Sequence, residues 1–391
     1  MARNKAHFDR FAPHTRLKHA IYGRYIERWA RILLSRWDKV RIVDACAGAG
    51  ADDEGRPGSP LIAYNEGRTA AAQMSAQKGI AKEVEFIFIE RSKGRMAKLR
   101  ALLGERKSVR FVQGTLEDVI GELERDGNRV PHLYFIDPFG LAPLRADTIR
   151  RALAGPHNEV FLLFAGPAIR RHFGSYLSVQ EQAPEADLFS NAGVDVPAGD
   201  DAGEEARLRG KIVSETILDT AFGDRAWRDI LELPRQRRLD AAVSRYCELL
   251  EGLGAARVLP MPILDGSGNL KYHLIYATKS KRGYEVMKDA MERGLNEGMV
   301  GKEEHMRLGS TIPMHEVERL VRTRFAGREV LWSAAGGGET IRSYALEDTP
   351  ASIRQVNELK ERIATLKVPG RGPHRYWFPA SSPDRSQLQR G

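Results

Sequence analysis

The fold is decided by the sequence VRIVDACAGAG at residues 40–50. Its first part, VRIVDA, is a short apolar run of the kind that forms a buried β-strand. The small residues of DACAGAG let the backbone turn sharply and come close to a ligand. A turn of this kind, at the carboxyl end of a first strand, is where open α/β sheets bind ligands. We therefore expect a parallel α/β sheet built around this strand.

Strand and helix patterns alternate beyond this stretch. The further apolar runs that we predict as strands are 84–90, 109–113, 133–137 and 160–164. Continuous apolar strands separated by helices predict a parallel sheet covered on both faces. Residues 257–264 and 270–279, joined by a short glycine-containing loop, predict an antiparallel hairpin. Together these elements predict a seven-stranded, class I methyltransferase-like (Rossmann-type) α/β sheet with a C-terminal antiparallel hairpin.

The chain divides into segments of different character. We predict a methyltransferase-like domain at 1–297, a small α+β winged-helix-like domain at 298–379 and a disordered polar tail at 380–391. The small domain is equally compatible with a helical dimerisation or capping unit; within it, 329–333 and 340–346 are predicted as strands. Residues 172–206 contain eight acidic residues and no Lys or Arg, and we interpret them as an acidic insertion in the first domain.

The chain is strongly basic, with a formal net charge of +9. Residues 1–40 alone contain ten Lys or Arg and three acids, a net of +7. Such a charge distribution is typical of a chain that binds a polyanion, and nucleic acid is the expected partner. The residues predicted to contact nucleic acid are Arg24, Arg28 and Arg31 in the first helix, and Arg371 and Arg375 in the small domain. Alternatively, the three arginines of the first helix form an ordinary solvent-exposed face.

Cysteine and histidine usage gives no metal or disulfide pattern. The two cysteines, Cys46 and Cys247, cannot form a disulfide framework or a four-cysteine zinc site. The ten histidines show no metal-ligand spacing, so no metal is predicted. No apolar run approaches the ~20 residues of a membrane-spanning helix, and residues 1–9 lack the apolar core of a signal peptide. The expected compartment is the reducing cytoplasm.

Small or polar residues follow the predicted strands, and the carboxyl ends of parallel strands meet at one edge of a sheet. The residues predicted to bind a cofactor are Asp44, Cys46, Gly48, Gly50, Glu90, Gly114, Thr115 and Leu116, with Lys18 reaching from the first helix. An acid at the position of Glu90 can accept both hydroxyls of a ribose, and Gly48 and Gly50 can approach the methionine end of S-adenosylmethionine, the predicted cofactor. Glu90 is alternatively an exposed strand-end acid, and Cys46 a small apolar residue of the loop.

The sequence Asp-Pro-Phe-Gly at 137–140 begins with the last residue of the fourth predicted strand. It is similar to the Asp-Pro-Pro-Tyr loop of amino-group methyltransferases, in which side-chain and carbonyl oxygens hold an exocyclic amine. The predicted catalytic residues are therefore Asp137, Pro138 and Phe139, with Phe139 stacking on a flat substrate. A type I turn would explain Pro138 alone.

The chain resembles a bacterial family, the three-Cys-motif partner proteins. The stretches that carry the resemblance are HTRLKH (14–19), DACAGAG (44–50), GSPLIA (58–63), FIE (88–90), YFIDPFG (134–140), and 272–279 with 283–287. The resemblance implies a methyltransferase-type domain with a C-terminal winged helix, in a protein that accompanies a three-cysteine, radical-enzyme-like partner. The family's first loop usually reads Asp-Gly-Phe-Ala-Gly-Pro-Gly, whereas this chain has Ala45, Cys46 and Ala49 in place of Gly, Phe and Pro.

These patterns favour an S-adenosylmethionine-dependent methyltransferase that acts on nucleic acid or a nucleobase. The main alternative is a nucleic-acid-binding partner of a three-cysteine radical-type enzyme, which keeps the fold without transferring methyl groups. A nuclease or other repair enzyme is a third possibility, and its carboxylates would need a metal.

Overall fold

A computed structural model describes residues 13–177, 201–264, 270–298, 307–308, 314–333, 339–347, 349, 351, 353–369 and 374–379. Its helices are α1 Pro13–Leu34, α2 Ser59–Lys78, α3 Lys93–Leu103, α4 Ile120–Asp126, α5 Ala146–Ala152, α6 Gly166–Leu177, α7 Asp201–Phe222, α8 Arg238–Gly252, α9 Lys281–Gly298, α10 Met314–Arg324, α11 Ile341–Glu347 and α12 Ile353–Arg362. Its strands are β1 Lys39–Asp44, β2 Glu83–Glu90, β3 Val109–Gln113, β4 His132–Ile136, β5 Glu159–Phe164, β6 Arg257–Leu264, β7 Leu270–Thr278, β8 Arg307–Leu308, β9 Arg328–Leu331 and β10 Arg375–Phe378.

The main sheet has the strand order β3-β2-β1-β4-β5-β7-β6, and the two-residue β8 adds to its β6 edge. Strands β1 to β5 pair in parallel, whereas β7 is antiparallel to both β5 and β6. This order confirms the predicted class I methyltransferase fold. The seven predicted strands of this sheet differ from the observed ones by no more than one residue at each end. The central strands β4 and β5 are buried along their whole length, as their continuous apolar sequences predict.

Two hydrophobic cores cover the sheet. On one face the core includes residues of α1, α2, α3 and α9, and on the other face residues of α4 to α8. In α1 an apolar stripe at four-residue spacing is buried, from Leu17 through Ile21 and Tyr25 to Trp29. This packing fixes α1 across the sheet and sets the position of the polar residues near its start.

A third core lies in the C-terminal part of the chain, formed by residues of α10, β9, α11, α12 and β10. Strands β9 and β10 pair in a separate antiparallel sheet. The predicted strand at 340–346 is wrong, because α11 occupies this segment. Thr340 Oγ1 accepts the Ser343 N–H at 3.1 Å and Ser343 Oγ accepts the Thr340 N–H at 2.8 Å, a reciprocal cap that starts a helix. The domain boundary and the winged-helix assignment stay predictions.

Several predicted features lie wholly or partly outside the described residues. They are the acidic segment between α6 and α7, the hairpin loop at 265–269, the polar tail and Arg371. Among the residues that are described, no helix combines the length and apolar character needed to cross a bilayer.

Candidate functional site

The carboxyl ends of the parallel strands open into one cleft of about 1990 Å³. The predicted residues that line it are Lys18, Cys46, Gly48, Gly50, Glu90, Gly114, Thr115, Leu116, Asp137 and Phe139, with the ring of Pro138 among them. Asp44 is fully buried and is absent from the cleft wall. The structure therefore brings the strand-end residues, which are far apart in the sequence, into one hollow.

The loop after β1 approaches the cleft through its glycines. Gly48 and Gly50 have positive φ angles of 67° and 89°, which glycine adopts without the penalty paid by other residues. A Cβ at Gly50 would lie 2.7 Å from Leu99, whereas a Cβ at Gly48 would meet nothing within 4 Å. Gly50 is thus needed for internal packing, and Gly48 leaves open space on the cleft side.

Glu90 closes this loop at the end of β2. Its Oε2 accepts the Gly48 N–H at 3.0 Å, and its Oε1 accepts the Ser92 N–H at 2.7 Å and lies 3.2 Å from Arg95 Nε. The carboxylate is buried rather than an exposed strand-end acid. These contacts leave acceptor capacity on Oε2, because a carboxylate offers about four lone-pair positions.

Asp44 lies beneath the loop with one oxygen unpartnered. Its Oδ1 accepts the Cys46 N–H at 3.1 Å, while its Oδ2 is buried without a hydrogen-bond partner. Burial raises the pKa of Asp44 to about 7. An unpartnered buried oxygen is costly, so this acid is a candidate for interaction with a cationic or N–H-bearing ligand group.

The turn after β3 is held by a capping box. Asp118 Oδ2 accepts the Thr115 N–H at 2.7 Å and the Thr115 hydroxyl at 3.0 Å. The Asp118 carboxylate therefore caps the short helix that follows β3. Gly114 and Thr115 remain at the cleft wall, with the buried side chain of Leu116 beside them.

The Asp-Pro-Phe-Gly segment supplies the opposite wall. The Lys18 ammonium donates to Asp137 Oδ2 and forms an ion pair with it. Lys18 is therefore engaged with the predicted catalytic aspartate, and its predicted contact with a cofactor carboxylate stays a prediction. Pro138 is buried, whereas Phe139 is 76% exposed, with the Arg95 guanidinium 6.0 Å from its ring centroid.

Several polar residues of the cleft were not singled out from the sequence, among them His19, Lys271 and Tyr272. His19 is buried beside Lys18, and burial lowers its pKa to about 3, so its imidazole is neutral. Tyr272 and Lys271 reach the cleft from the start of β7. Burial, and then the charge of Asp137, raise the pKa of the Tyr272 phenol. The predicted hairpin could have identified Lys271 and Tyr272, because an antiparallel β7 places its first residues beside the carboxyl end of β5.

Of the residues predicted to contact nucleic acid, the four that the structure describes lie outside the cleft wall. Arg24, Arg28 and Arg31 do not line it; Arg28 is ion-paired with Asp289 of α9, and Arg31 with Glu27 at 2.9 Å. Arg375 donates to Glu329 Oε1 at 3.0 Å. Their role with nucleic acid stays a prediction.

Metal and thiol chemistry find no support at this site. Among the described residues, no group of three or more His, Cys, Asp or Glu side chains is arranged to hold a metal ion. Burial raises the pKa of the Cys46 thiol far above its usual range, so this cysteine is a small wall residue rather than a thiolate nucleophile.

Comparisons with known proteins give structural likeness at low sequence identity. No family model and no curated protein matches the chain. Among solved structures it is similar to protein LPL1258 of Legionella pneumophila, a DUF519 protein, with 10% identity, 74% of this chain and 96% of that chain covered and a TM-score of 0.37. It is also similar to a putative caffeoyl-CoA O-methyltransferase of Staphylococcus aureus, with 9% identity, 64% of this chain and 82% of that chain covered and a TM-score of 0.28. A fibrillarin/Nop5p complex is similar too, with 11% identity, 66% of this chain and 83% of that chain covered and a TM-score of 0.27.

Proposed function

We propose that this protein is an S-adenosylmethionine-dependent methyltransferase that methylates an amino group of a nucleobase. The observation that carries the proposal is the shared cleft. It contains the open side of Gly48, the buried carboxylate of Glu90 and the ion-paired carboxylate of Asp137. In this fold, ligands bind at the carboxyl ends of the parallel strands.

The residues of the cofactor half fit a nucleoside with a charged tail. Glu90 would accept from the ribose hydroxyls, Gly114 and Thr115 would border the adenine, and the open side of Gly48 would face the methionine part. The unpartnered oxygen of Asp44 lies below the same loop, where a donor group or a water linked to one would satisfy it. When bound, S-adenosylmethionine supplies the electrophilic methyl group, and this chain's task is to hold and orient the acceptor.

Asp137 would orient the acceptor nitrogen. An amino N–H that donates to the carboxylate favours a pyramidal nitrogen, whose lone pair is less delocalised into the base and is therefore a better nucleophile. A methylated amino nitrogen is cationic and acidic before it loses its proton, and the nearby carboxylate is placed to accept that proton. The ion pair with Lys18 fixes the position of the Asp137 carboxylate at the cleft wall.

Phe139 would provide the stacking surface for the base. Its ring is exposed beside Asp137, and a large apolar ring in water at the mouth of a cleft is a suitable platform for a flat heterocycle. The exposed ring thus supports a planar acceptor rather than an aliphatic one.

The proposal is tested with labelled methyl transfer onto host DNA, RNA and free nucleosides, alongside calorimetric titration with S-adenosylmethionine. We expect Asp137→Ala to lose at least about 100-fold in rate while cofactor affinity stays within about twofold. Asp147→Asn, on the exposed surface of α5 away from the cleft, is the matched control and should behave like the parent. Cofactor binding without transfer to any of these acceptors would overturn the activity.

A second candidate is a nucleic-acid-binding partner protein of a three-cysteine radical-type enzyme, without methyl transfer. The observation that favours it is the ion pair itself, because the Asp137 carboxylate already has a cationic partner in Lys18. Copurification with such an enzyme, together with the absence of any transfer, would support this candidate over the first.

A further inference from the structure

We propose that the mouth of the cleft binds the phosphate groups of a single-stranded nucleic acid. This inference rests on the proposed function and specifies its substrate as a polynucleotide rather than a free nucleobase. It is carried by exposed cations that flank the cleft on both sides. The first lip, Arg91 and Lys98, lies at the end of β2 and on α3, and the second lip comprises Arg145, Arg171 and Lys271.

Four of these side chains have no polar partner among the described residues. Within the described residues, Arg91, Lys98, Arg145 and Arg171 make no ion pair or side-chain hydrogen bond. This contrasts with α1, where Arg28 pairs with Asp289 and Arg31 with Glu27. A cation without a partner keeps its full charge available for a phosphate, whereas a paired one must first give up its carboxylate.

The acids of the cleft do not neutralise the two lips. Three of these acids form ion pairs: Glu90 pairs with Arg95, Asp137 with Lys18 and Asp52 with Arg56. Glu117 is half-buried and accepts from the Thr148 hydroxyl at 3.3 Å. Among the described residues that line the cleft, Asp53 is the one exposed acid. The described part of the mouth therefore presents five exposed cations and one exposed acid, a positive rim around a site whose interior acids are paired.

The position of Phe139 links the rim to the chemistry. Its exposed ring lies in the same cleft as both lips, with Arg95 of the first lip's helix near its face. Bases of a single strand can stack on such a ring while the flanking phosphates lie on the cations. A free nucleobase has no phosphates and would leave both lips unused, and a base within a duplex must first leave the stack.

The test is fluorescence anisotropy with a labelled single-stranded oligonucleotide of about 20 nucleotides, titrated over a range of salt concentrations. The test variant is Lys98→Gln with Arg171→Gln, one residue from each lip. The matched control is Lys93→Gln with Arg170→Gln: the same helices, the same loss of charge and two exposed positions outside the cleft wall. The midpoint of thermal unfolding of each variant, compared with that of the parent, reports whether the fold is intact.

We expect the lip variant to bind about tenfold more weakly, with the slope of log K against log salt reduced by about 0.7 for each lost contact. The control should bind like the parent. Equal weakening by both variants, or by neither, would overturn the inference. A further outcome separates the two proposals: the lip variant alone binds the oligonucleotide more weakly, and the parent does not bind S-adenosylmethionine. That result would support the phosphate-binding surface and contradict the proposed methyl transfer.

Discussion

Lys18 and Asp137 form an ion pair that joins the start of α1 to the carboxyl end of β4, across 119 residues of sequence. The Lys18 side chain is 6% exposed and that of Asp137 is 23% exposed. A lysine at this depth needs a partner, because an unpaired buried charge costs several kcal/mol, about 3–5. The pair therefore links the start of α1 to the cleft and holds the proposed catalytic carboxylate in place.

Removing Lys18 should slow methyl transfer. Lys18→Met takes away the ammonium that holds the Asp137 carboxylate in place, so the rate should fall by at least about tenfold. Lys18→Arg keeps a cation at this position and should restore part of the rate. Lys82→Met removes an equally buried lysine that pairs with Asp38 away from the cleft, and it should leave the rate near that of the parent. An equal loss of rate in Lys18→Met and Lys82→Met would contradict a specific role for Lys18.

Replacing Asp44 should stabilise the protein at alkaline pH. The unfolded carboxyl titrates near pH 3.9, and burial raises the folded pKa to about 7. Between these values the folded state holds the extra proton, so stability decreases as pH rises and the full cost is present above about pH 7. Asp44→Asn should therefore unfold at higher urea concentration than the parent at pH 8, by of the order of 1–4 kcal/mol.

That advantage should shrink as the pH falls towards 5, where the parent carboxyl is protonated too. Asp147→Asn, at an exposed position, should show no such trend. A stability difference for Asp44→Asn that is the same at both pH values would contradict the raised pKa. Because Asp44 is also a predicted cofactor residue, we expect the stabilised variant to bind S-adenosylmethionine more weakly.

Truncating Phe139 should weaken acceptor binding without weakening the fold. The ring is 76% exposed, so Phe139→Ala should alter the free energy of unfolding by less than about 0.5 kcal/mol. Loss of stacking is worth about 1–3 kcal/mol per base, so KM for the acceptor should rise by roughly 5- to 150-fold. Phe139→Tyr keeps the ring and should keep KM near that of the parent; steady-state kinetics decide between these results.

Lys288 should hold the C-terminal part of the chain against α9. Its ammonium is buried and donates to the carbonyl of Leu346, and to those of Thr349 at 3.2 Å and Ala351 at 3.3 Å. Lys288→Met would leave these acceptors unsatisfied, each at a cost of about 1–3 kcal/mol. Hydrogen exchange of the α11 amides should speed up while that of β1 stays slow. If hydrogen exchange of the α11 amides is unchanged in Lys288→Met, Lys288 does not hold this part of the chain against α9.

Part of the fold and of the site could be predicted because it depends on residues that are neighbours in the sequence. Continuous apolar runs predicted the strands of the sheet, and Glu90 and Asp137 were identified because they stand at the carboxyl ends of such runs. The partner of Lys18 was not predictable, since it depends on how α1 packs across the sheet. Lys271 and Tyr272 enter through the antiparallel direction of β7. At α11, the strand-like alternation of the sequence is overridden by the Thr340–Ser343 cap and by Ile341 and Ala345, which are buried in the third core.

The account depends most directly on whether the cleft binds S-adenosylmethionine. Calorimetric titration of the purified protein should give a saturable single site, and Glu90→Leu should weaken it by at least about tenfold through loss of a ribose acceptor and of the Gly48 and Ser92 contacts. Glu105→Leu, at an exposed position outside the cleft, should bind like the parent. No heat of binding for the parent at millimolar S-adenosylmethionine would contradict the central claim.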